Sequence, residues 1–267
     1  MKIWSVSNQK GGVGKTTSVV TLGGLLSSWG FKTLLVDLDP HGSLTSYFKM
    51  NPDEIELSVY NLFRDTSEKK KNIDPEIYIA QTEFDGLAVL PASTAIATLD
   101  RQVAQMGGMG LVVATALAKL KGRYDYVIID SPPMLGVLMI NALAACDHLI
   151  IPVLAEFLAL KGLDRMVHTI NMVFHSRKTP PRYTIVPTMY DKRTRAARDS
   201  LVALHQKYPS NTWAAVIPID TKVRDASQVG VPLSLFDKDA KAAEAYSELL
   251  ELLLLEKTGD KLLANRA

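Results

Sequence analysis

The amino-acid sequence predicts an α/β fold, a doubly wound and mostly parallel sheet flanked by helices, on three observations. A short apolar strand runs directly into a glycine-rich loop that opens a helix, and a second apolar strand follows, which is a βαβ unit. Strand-like and helical patterns then alternate along the rest of the chain. The second strand, "KTLLVDLD" (32–39), is apolar at consecutive positions, as in parallel strands covered on both faces. The chain has 267 residues, 47% of them apolar, enough to bury a full core. With no internal repeat and no long linker, residues 1–267 are expected to form a single domain.

Taken in order, residues 3–7 read as the first buried strand and residues 8–14 as the loop. A helix then starts near Lys15, with Val19, Leu22, Leu26 and Trp29 at i, i+3, i+7 and i+10, and Gly30 ends it. Further strands are expected at 87–91, 124–130, 148–154, 183–188 and 212–218. Helices are expected near 110–121, 137–145, 158–175 and 194–207. A last helix, about 239–256, carries Tyr246, Leu249, Leu250 and Leu253 on one stripe and is expected to pack on the sheet. The charged, turn-rich stretch 66–76 reads as a surface loop.

Composition removes several classes of function. Cys146 is the one cysteine, so neither an intrachain disulfide nor a cysteine-held metal cluster is expected, and a reducing cytoplasm is the natural setting. The five histidines (41, 148, 168, 175 and 205) have no paired ligand spacing. The N-terminus enters a strand and a glycine loop at once, which predicts no signal peptide. No apolar run reaches the roughly 18 residues of a membrane span, so no membrane insertion is expected. The net charge of +2 neither favours nor excludes a nucleic-acid partner.

The chemistry begins at "QKGGVGKTT" (9–17). Gly11, Gly12 and Gly14 allow a tight turn whose N–H groups, with the N-terminus of the helix, hold phosphate oxygens. Lys15 adds a charge for the β- and γ-phosphates of a nucleotide, and Thr16 offers a hydroxyl to Mg²⁺. The loop departs from the usual pattern, with Gln9 where a first glycine is expected and a second lysine, Lys10, beside it. "YDYVIID" (124–130) places Asp130 at the carboxyl end of a strand, where ligands of open α/β sheets sit, within reach of the metal through a bound water. Asp130 could also cap the segment after it. "VDLDPHG" places Asp37 and Asp39 at the end of the second strand, and Asp39 is the better candidate for ordering an attacking water. It could equally cap the turn before Pro40.

Together these motifs resemble the ParA/MinD family of P-loop ATPases with a deviant Walker A loop, and the ParA branch above all. The likeness continues through 151–163, 186–194 and 216–233 and so spans nearly the whole chain. It implies ATP and Mg²⁺ as cofactors and an ATP-dependent homodimer closed face to face, in which Lys10 reaches the partner's nucleotide. By the same resemblance Lys10, Gly11, Gly12, Val13, Gly14, Lys15, Thr16 and Thr17 form the ATP loop. Lys10, Lys15 and Asp39 are its catalytic set, Thr16 and Asp130 hold the metal, and Thr188 and Pro218 contact adenine. It implies slow ATP hydrolysis stimulated by a partner. Two departures stand out: His41 where the family often has Gln, and Ile219 and Lys222 where it often has arginines that touch DNA.

The window 175–207 holds eight Lys and Arg against two Asp. Arg195 and Arg198 lie on the helix side away from Leu201 and Leu204, and by the resemblance Arg193 and Lys222 match the family's DNA-contact positions, which makes these four the candidate contacts to non-specific DNA. No DNA-reading module precedes the loop, so sequence-specific operator binding is not expected. The expected cargo is plasmid or chromosomal DNA, reached through a ParB-like adaptor, in the cytoplasm on the nucleoid. The alternatives are a protein assembly such as a chemotaxis array at a pole, reached through a chemotaxis-type adaptor, a MinD-like membrane regulator, and an amidotransferase-like ligase that shares the loop. Glutamates along the final helix oppose the membrane reading.

Overall fold

The computed structural model describes residues 1–98, 108–175 and 181–255. The first crossover is β1 (Lys2–Val6), α1 (Lys15–Ser28) and β2 (Thr33–Asp37). Next come α2 (Ser43–Tyr47), α3 (Val59–Ser67), the two-residue β3 (Ala80–Gln81) and β4 (Leu87–Leu90). They are followed by α4 (Val112–Lys119), β5 (Tyr126–Asp130), α5 (Val137–Ala145), β6 (His148–Leu154), α6 (Phe157–Phe174) and β7 (Arg182–Thr188). The remaining elements are α7 (Arg195–Lys207), α8 (Lys222–Val229), α9 (Leu233–Phe236) and α10 (Lys241–Leu255). Among the described residues the strands form one sheet in the order β3-β4-β2-β5-β1-β6-β7, and only the β3–β4 pair is antiparallel.

Both faces of the sheet are covered, which is why β2 and β5 are buried at every position and apolar through their middles. Leu34 and Val36 of β2 and Val127 and Ile129 of β5 point to one face, under α3, α4 and α5. Leu35 and Ile128 point to the other, under α1, α9 and α10. A third cluster joins Leu149, Ile151 and Val153 of β6 to Leu163, Met166 and Ile170 of α6 and to Leu204 of α7. The predicted stripe of α10 packs inward, with Tyr246, Leu249, Leu250 and Leu253 all buried and the Tyr246 hydroxyl 2.8 Å from Ser18 Oγ of α1. Each such buried Leu contributes about 1.5–3 kcal/mol.

Helix α1 is squeezed between β2 and α9, and two glycines make the fit. A Cβ built on Gly23 would stand 2.6 Å from Leu35 Cδ2, and one on Gly24 would stand 2.5 Å from Pro232 Cβ. This close approach keeps the start of α1 directly above the carboxyl end of β1.

One expected strand is absent. Segment 212–218 makes single bridges, Ile185 to Thr212 and Tyr190 to Pro218, instead of an eighth strand. Ile185 does exchange bonds with it, accepting from Trp213 N–H and donating to Asn211 C=O. The next outward position of β7 is Pro187, which has no N–H to give. Its carbonyl instead accepts from Ile217, so the segment arches away between the two bridges. The stretch 66–76 is trimmed at both ends by α3 and by a 3-10 turn over Pro75–Tyr78, while residues 68–72 are exposed as expected. Among basic and tail positions singled out from the sequence, Arg177, Lys178 and residues 256–267 lie outside the described residues.

Asp37 ties three elements together. Its Oδ2 accepts from the backbone N–H of Thr45 (2.9 Å) and from Thr45 Oγ1 (2.7 Å), its Oδ1 accepts from Asp39 N–H (3.1 Å), and Thr45 Oγ1 in turn accepts from Ala92 N–H (2.8 Å). The carboxyl is fully buried at the end of β2, and burial pushes its pKa up to about 6 against the pull of the Thr45 bonds. A raised carboxyl pKa means the folded chain holds the proton more tightly than the unfolded one. The associated stability is present at low pH and is lost as pH rises through about 4 to 6.

Two stability measurements follow from this packing. Gly24→Ala is expected to lower unfolding stability by about 1–2 kcal/mol in urea titration, because overpacking against Pro232 outweighs the gain in helix propensity. Asp37→Asn is expected to gain about 1 kcal/mol relative to the parent chain between pH 5 and pH 7.5, because only the parent must release that buried proton. A gap between the two urea midpoints that stays constant with pH would contradict the assignment to Asp37.

Candidate functional site

The register of the three central strands builds the floor of the site. Val6 of β1 stands beside Asp130 of β5, and Asp130 stands beside Asp37 of β2. The loop leaving β1 therefore opens over two buried carboxyls, at the carboxyl ends of parallel strands. Gly12 (φ 71°) and Gly14 (φ 88°) adopt left-handed backbone, which a side chain would strain. No side chain caps α1 and no acidic residue lies in its first turn, so its N–H groups and positive dipole end face the loop. This is the geometry of an anion cradle.

Lys15 and Thr16 rise from the first turn of α1. Lys15 is buried, and desolvation lowers its pKa while the charges of Asp130 and Asp39 pull it back up. Thr16 donates from Oγ1 to Asp130 Oδ2 at 2.6 Å. The other oxygen, Asp130 Oδ1, is buried with no hydrogen-bond partner. Burial, and then the charge of Asp37, raise the Asp130 pKa well above the carboxylate range. A buried hydroxyl–carboxylate pair with one orphaned oxygen suits a hard divalent cation that completes its shell with phosphate oxygens and water. Among the described residues no three His, Cys, Asp or Glu side chains converge as a protein-only metal site.

Asp39 begins a tight turn. It accepts at Oδ1 from the His41 backbone N–H (3.1 Å) and from His41 Nδ1 (2.8 Å), and its carbonyl accepts from Gly42 N–H. Lys10 sits at the far rim, with Nζ 3.2 Å from Glu156 Oε2 of the same chain and its N–H bonded to Asn8 Oδ1. Gln9 and Asn8 anchor the same stretch. Gln9 Nε2 donates to Thr169 Oγ1 of α6, and Asn8 Nδ2 donates to the Pro152 carbonyl of β6. Three successive side chains thus fasten the loop to the β6–α6 unit. That fastening is a tertiary role for Gln9, invisible in a pattern that asks only for glycine.

Val13 and Thr188 form another tie, Thr188 Oγ1 donating to the Val13 carbonyl at 2.9 Å. Beside it opens a cavity of about 640 Å³, lined among others by Gly14, Thr17, Thr188, Met189, Pro218 and Tyr246. The two positions singled out for a base, Thr188 and Pro218, come together here because Tyr190 pairs with both Ile217 and Ile219 through backbone bonds. Sequence reasoning missed Met189 and Tyr246, the latter brought from α10.

The basic positions are a different matter. Arg193 is clasped by Asp191 through two bonds of 2.9 and 2.8 Å, and Arg195 pairs with Asp199 at 3.4 Å. Lys222 lies 3.9 Å from Asp237 and over the ring of Phe236. Arg198 is exposed on α7, and Leu204 of the same helix is buried while Leu201 is half-buried. The Tyr190 pairing sets the loop before α7 against the loop before α8, so the Arg193 and Lys222 segments are neighbours. Ile219, where an arginine was looked for, is an exposed apolar side chain.

Comparison with known proteins agrees with this arrangement. A family model described as an AAA domain matches residues 1–180. The sporulation initiation inhibitor protein Soj of Bacillus subtilis is 35% identical over 93% of this chain and 96% of its own length. The chromosome partitioning protein ParA of Myxococcus xanthus is 32% identical over 93% of this chain and 86% of its own. Among solved structures, cobyrinic acid a,c-diamide synthase from Mycobacterium smegmatis, with bound ATP analog and magnesium, superposes with a TM-score of 0.82. It is 33% identical over 95% of this chain and 94% of that one. With its phosphate loop, its doubly wound sheet and relatives matched over nearly their full length, the chain belongs to the ParA/MinD family of P-loop ATPases.

Proposed function

We propose that this chain is a ParA-type positioning ATPase, whose ATP-bound form is a sandwich dimer and whose hydrolysis returns it to monomers. The observation that carries the reading is the uncapped start of α1 over the Thr16–Asp130 pair with its orphaned oxygen. Gly11 to Thr17 would cradle the triphosphate, Lys15 would meet its β- and γ-oxygens, and Thr16 and Asp130 would hold Mg²⁺. The metal supplies charge neutralisation at the phosphates. Thr188 and Pro218 would flank adenine in the 640 Å³ cavity. In hydrolysis a water oxygen bonds to the γ-phosphorus as the bond to the β–γ bridging oxygen breaks, leaving ADP and phosphate. Asp39 would order that water.

Lys10 is the residue that makes one subunit insufficient. In the single chain its ammonium rests on Glu156, a pair with the Glu side chain 63% exposed. Such surface pairs contribute only about 0–1 kcal/mol, so a partner's triphosphate competes easily for the same cation. A lysine arriving from the second copy offsets charge that develops on the transferring phosphoryl group.

DNA is the proposed scaffold, through Arg193, Arg195, Arg198 and Lys222, with a ParB-like adaptor to speed turnover. The aspartate clasps on Arg193 and Lys222 and the apolar Ile219 favour a second reading, in which the cargo is a protein assembly such as a chemotaxis array. The likeness to a diamide synthase keeps a ligase in view. An acceptor-dependent turnover would be its mark.

In sedimentation with ATP and Mg²⁺, Asp39→Ala is expected to remain dimeric with turnover at least tenfold below the parent. Lys15→Ala is expected to lose nucleotide binding and stay monomeric, and an Asp39→Ala protein that is monomeric in ATP contradicts the switch. Arg193→Glu and Arg198→Glu are each expected to flatten the slope of log affinity for non-specific DNA against log salt by about 1, with dimerisation intact. Unchanged slopes would shift the reading to a protein scaffold.

A further inference from the structure

His41 is a departure from the sequence pattern that the site above leaves unused. It lies two residues beyond Asp39, in a turn closed by the bond from Gly42 N–H to the Asp39 carbonyl, with Pro40 between them and Gly42 in left-handed backbone at φ 60°. The turn fixes the backbone of Asp39 but leaves its carboxylate free to rotate about χ2. Two contacts then fall on one oxygen. The His41 N–H and the His41 imidazole Nδ1 both meet Asp39 Oδ1, at 3.1 and 2.8 Å, and neither uses Oδ2. A carboxylate only accepts, so Nδ1 carries the hydrogen and the ring is the Nδ1–H tautomer or the cation. The carboxylate side chain is 13% exposed while the imidazole is 79% exposed, so the ring approaches from the solvent side. On the inner side the Asp39 charge acts on Lys15 and Asp130.

We propose that His41 is a positioning residue for hydrolysis, its Nδ1–H pinning Oδ1 of Asp39 so that Oδ2 is presented to the attacking water. The inference rests on the reading of Asp39 as the residue that orders that water. A charge-assisted bond of this length holds a carboxylate plane in one orientation, and misplacing a reacting group by about 1 Å costs up to about a hundredfold in rate. The imidazole is outside the phosphate cradle, so its loss leaves nucleotide binding alone.

The test compares ATP turnover and ATP affinity, in the full chain with Mg²⁺, for His41→Ala, His41→Asn and Asp39→Ala. Asn places an N–H at the position of Nδ1, two bonds from Cβ. His41→Ala is expected to lower kcat by about ten- to a hundredfold with KM and ATP affinity within about twofold, and His41→Asn is expected to recover most of that loss. The exposed ring makes both substitutions compatible with folding. Equal impairment in Asn and Ala, or a parallel loss of ATP affinity, overturns the proposal, as does wild-type turnover in His41→Ala beside an inactive Asp39→Ala. Wild-type turnover in Asp39→Ala overturns the reading of Asp39 itself.

Discussion

The side-by-side register of β1, β5 and β2 is the constraint on which the rest of the structure depends. Because Val6, Asp130 and Asp37 share one row, the glycine loop must leave the sheet directly above two buried carboxyls. A slip of one residue in the β1–β5 pairing would turn Asp130 to the opposite face and separate it from Thr16, and one in the β2–β5 pairing would part Asp37 from Asp130. The packing of α1 serves the same end. Its two glycines let it sink between β2 and α9, and its first turn cannot then drift from the carboxyl ends of the strands.

The electrostatics of that row are those of a site awaiting positive charge. Burial raises the pKa of both carboxyls, and the charge of Asp37 adds to the rise at Asp130. They are answered differently. Asp37 is saturated by Thr45 and Asp39 N–H and belongs to the scaffold, whereas Asp130 keeps an oxygen with no partner. The buried Lys15, which feels the charges of Asp130 and Asp39, supplies one cation, and a second one brought by a ligand would relieve Asp130. The outer rim follows the opposite logic, since the half-buried Lys10 and the exposed Arg193 rest on local carboxylates that are cheap to leave.

The fold class was legible because α/β alternation writes itself into local patterns: apolar runs for strands, 3.6-residue stripes for helices, and glycine where α1 begins and where the chain leaves it. The helix expected at 137–145 has those bounds, and the family likeness carried by "KGGVGKTT" and "IIDSPP" is borne out by matched relatives. The absent strand at 212–218 was not legible, because its failure lies in Pro187, a residue of its partner strand. The nine-residue α3 was overlooked although Ser58 and Asn61 form a capping box at its start, with Asn in place of the usual Glu or Gln.

By itself, then, the sequence determined the phosphate loop, the layered α/β architecture and the family, because each is encoded by residues close together in the chain. Only the tertiary structure decided which aspartate is structural and which has an open oxygen, that Gln9 is an anchor to α6, that Tyr246 reaches the cavity beside Thr188 and Pro218, and that His41 grips Asp39 by its side chain. It also decided that Arg193 and Lys222 are held by aspartates. These are properties of distance and of leftover hydrogen-bonding capacity. Neither exists until the packed backbone has brought partners up to 228 residues apart, as in Ser18 and Tyr246, within reach of one another.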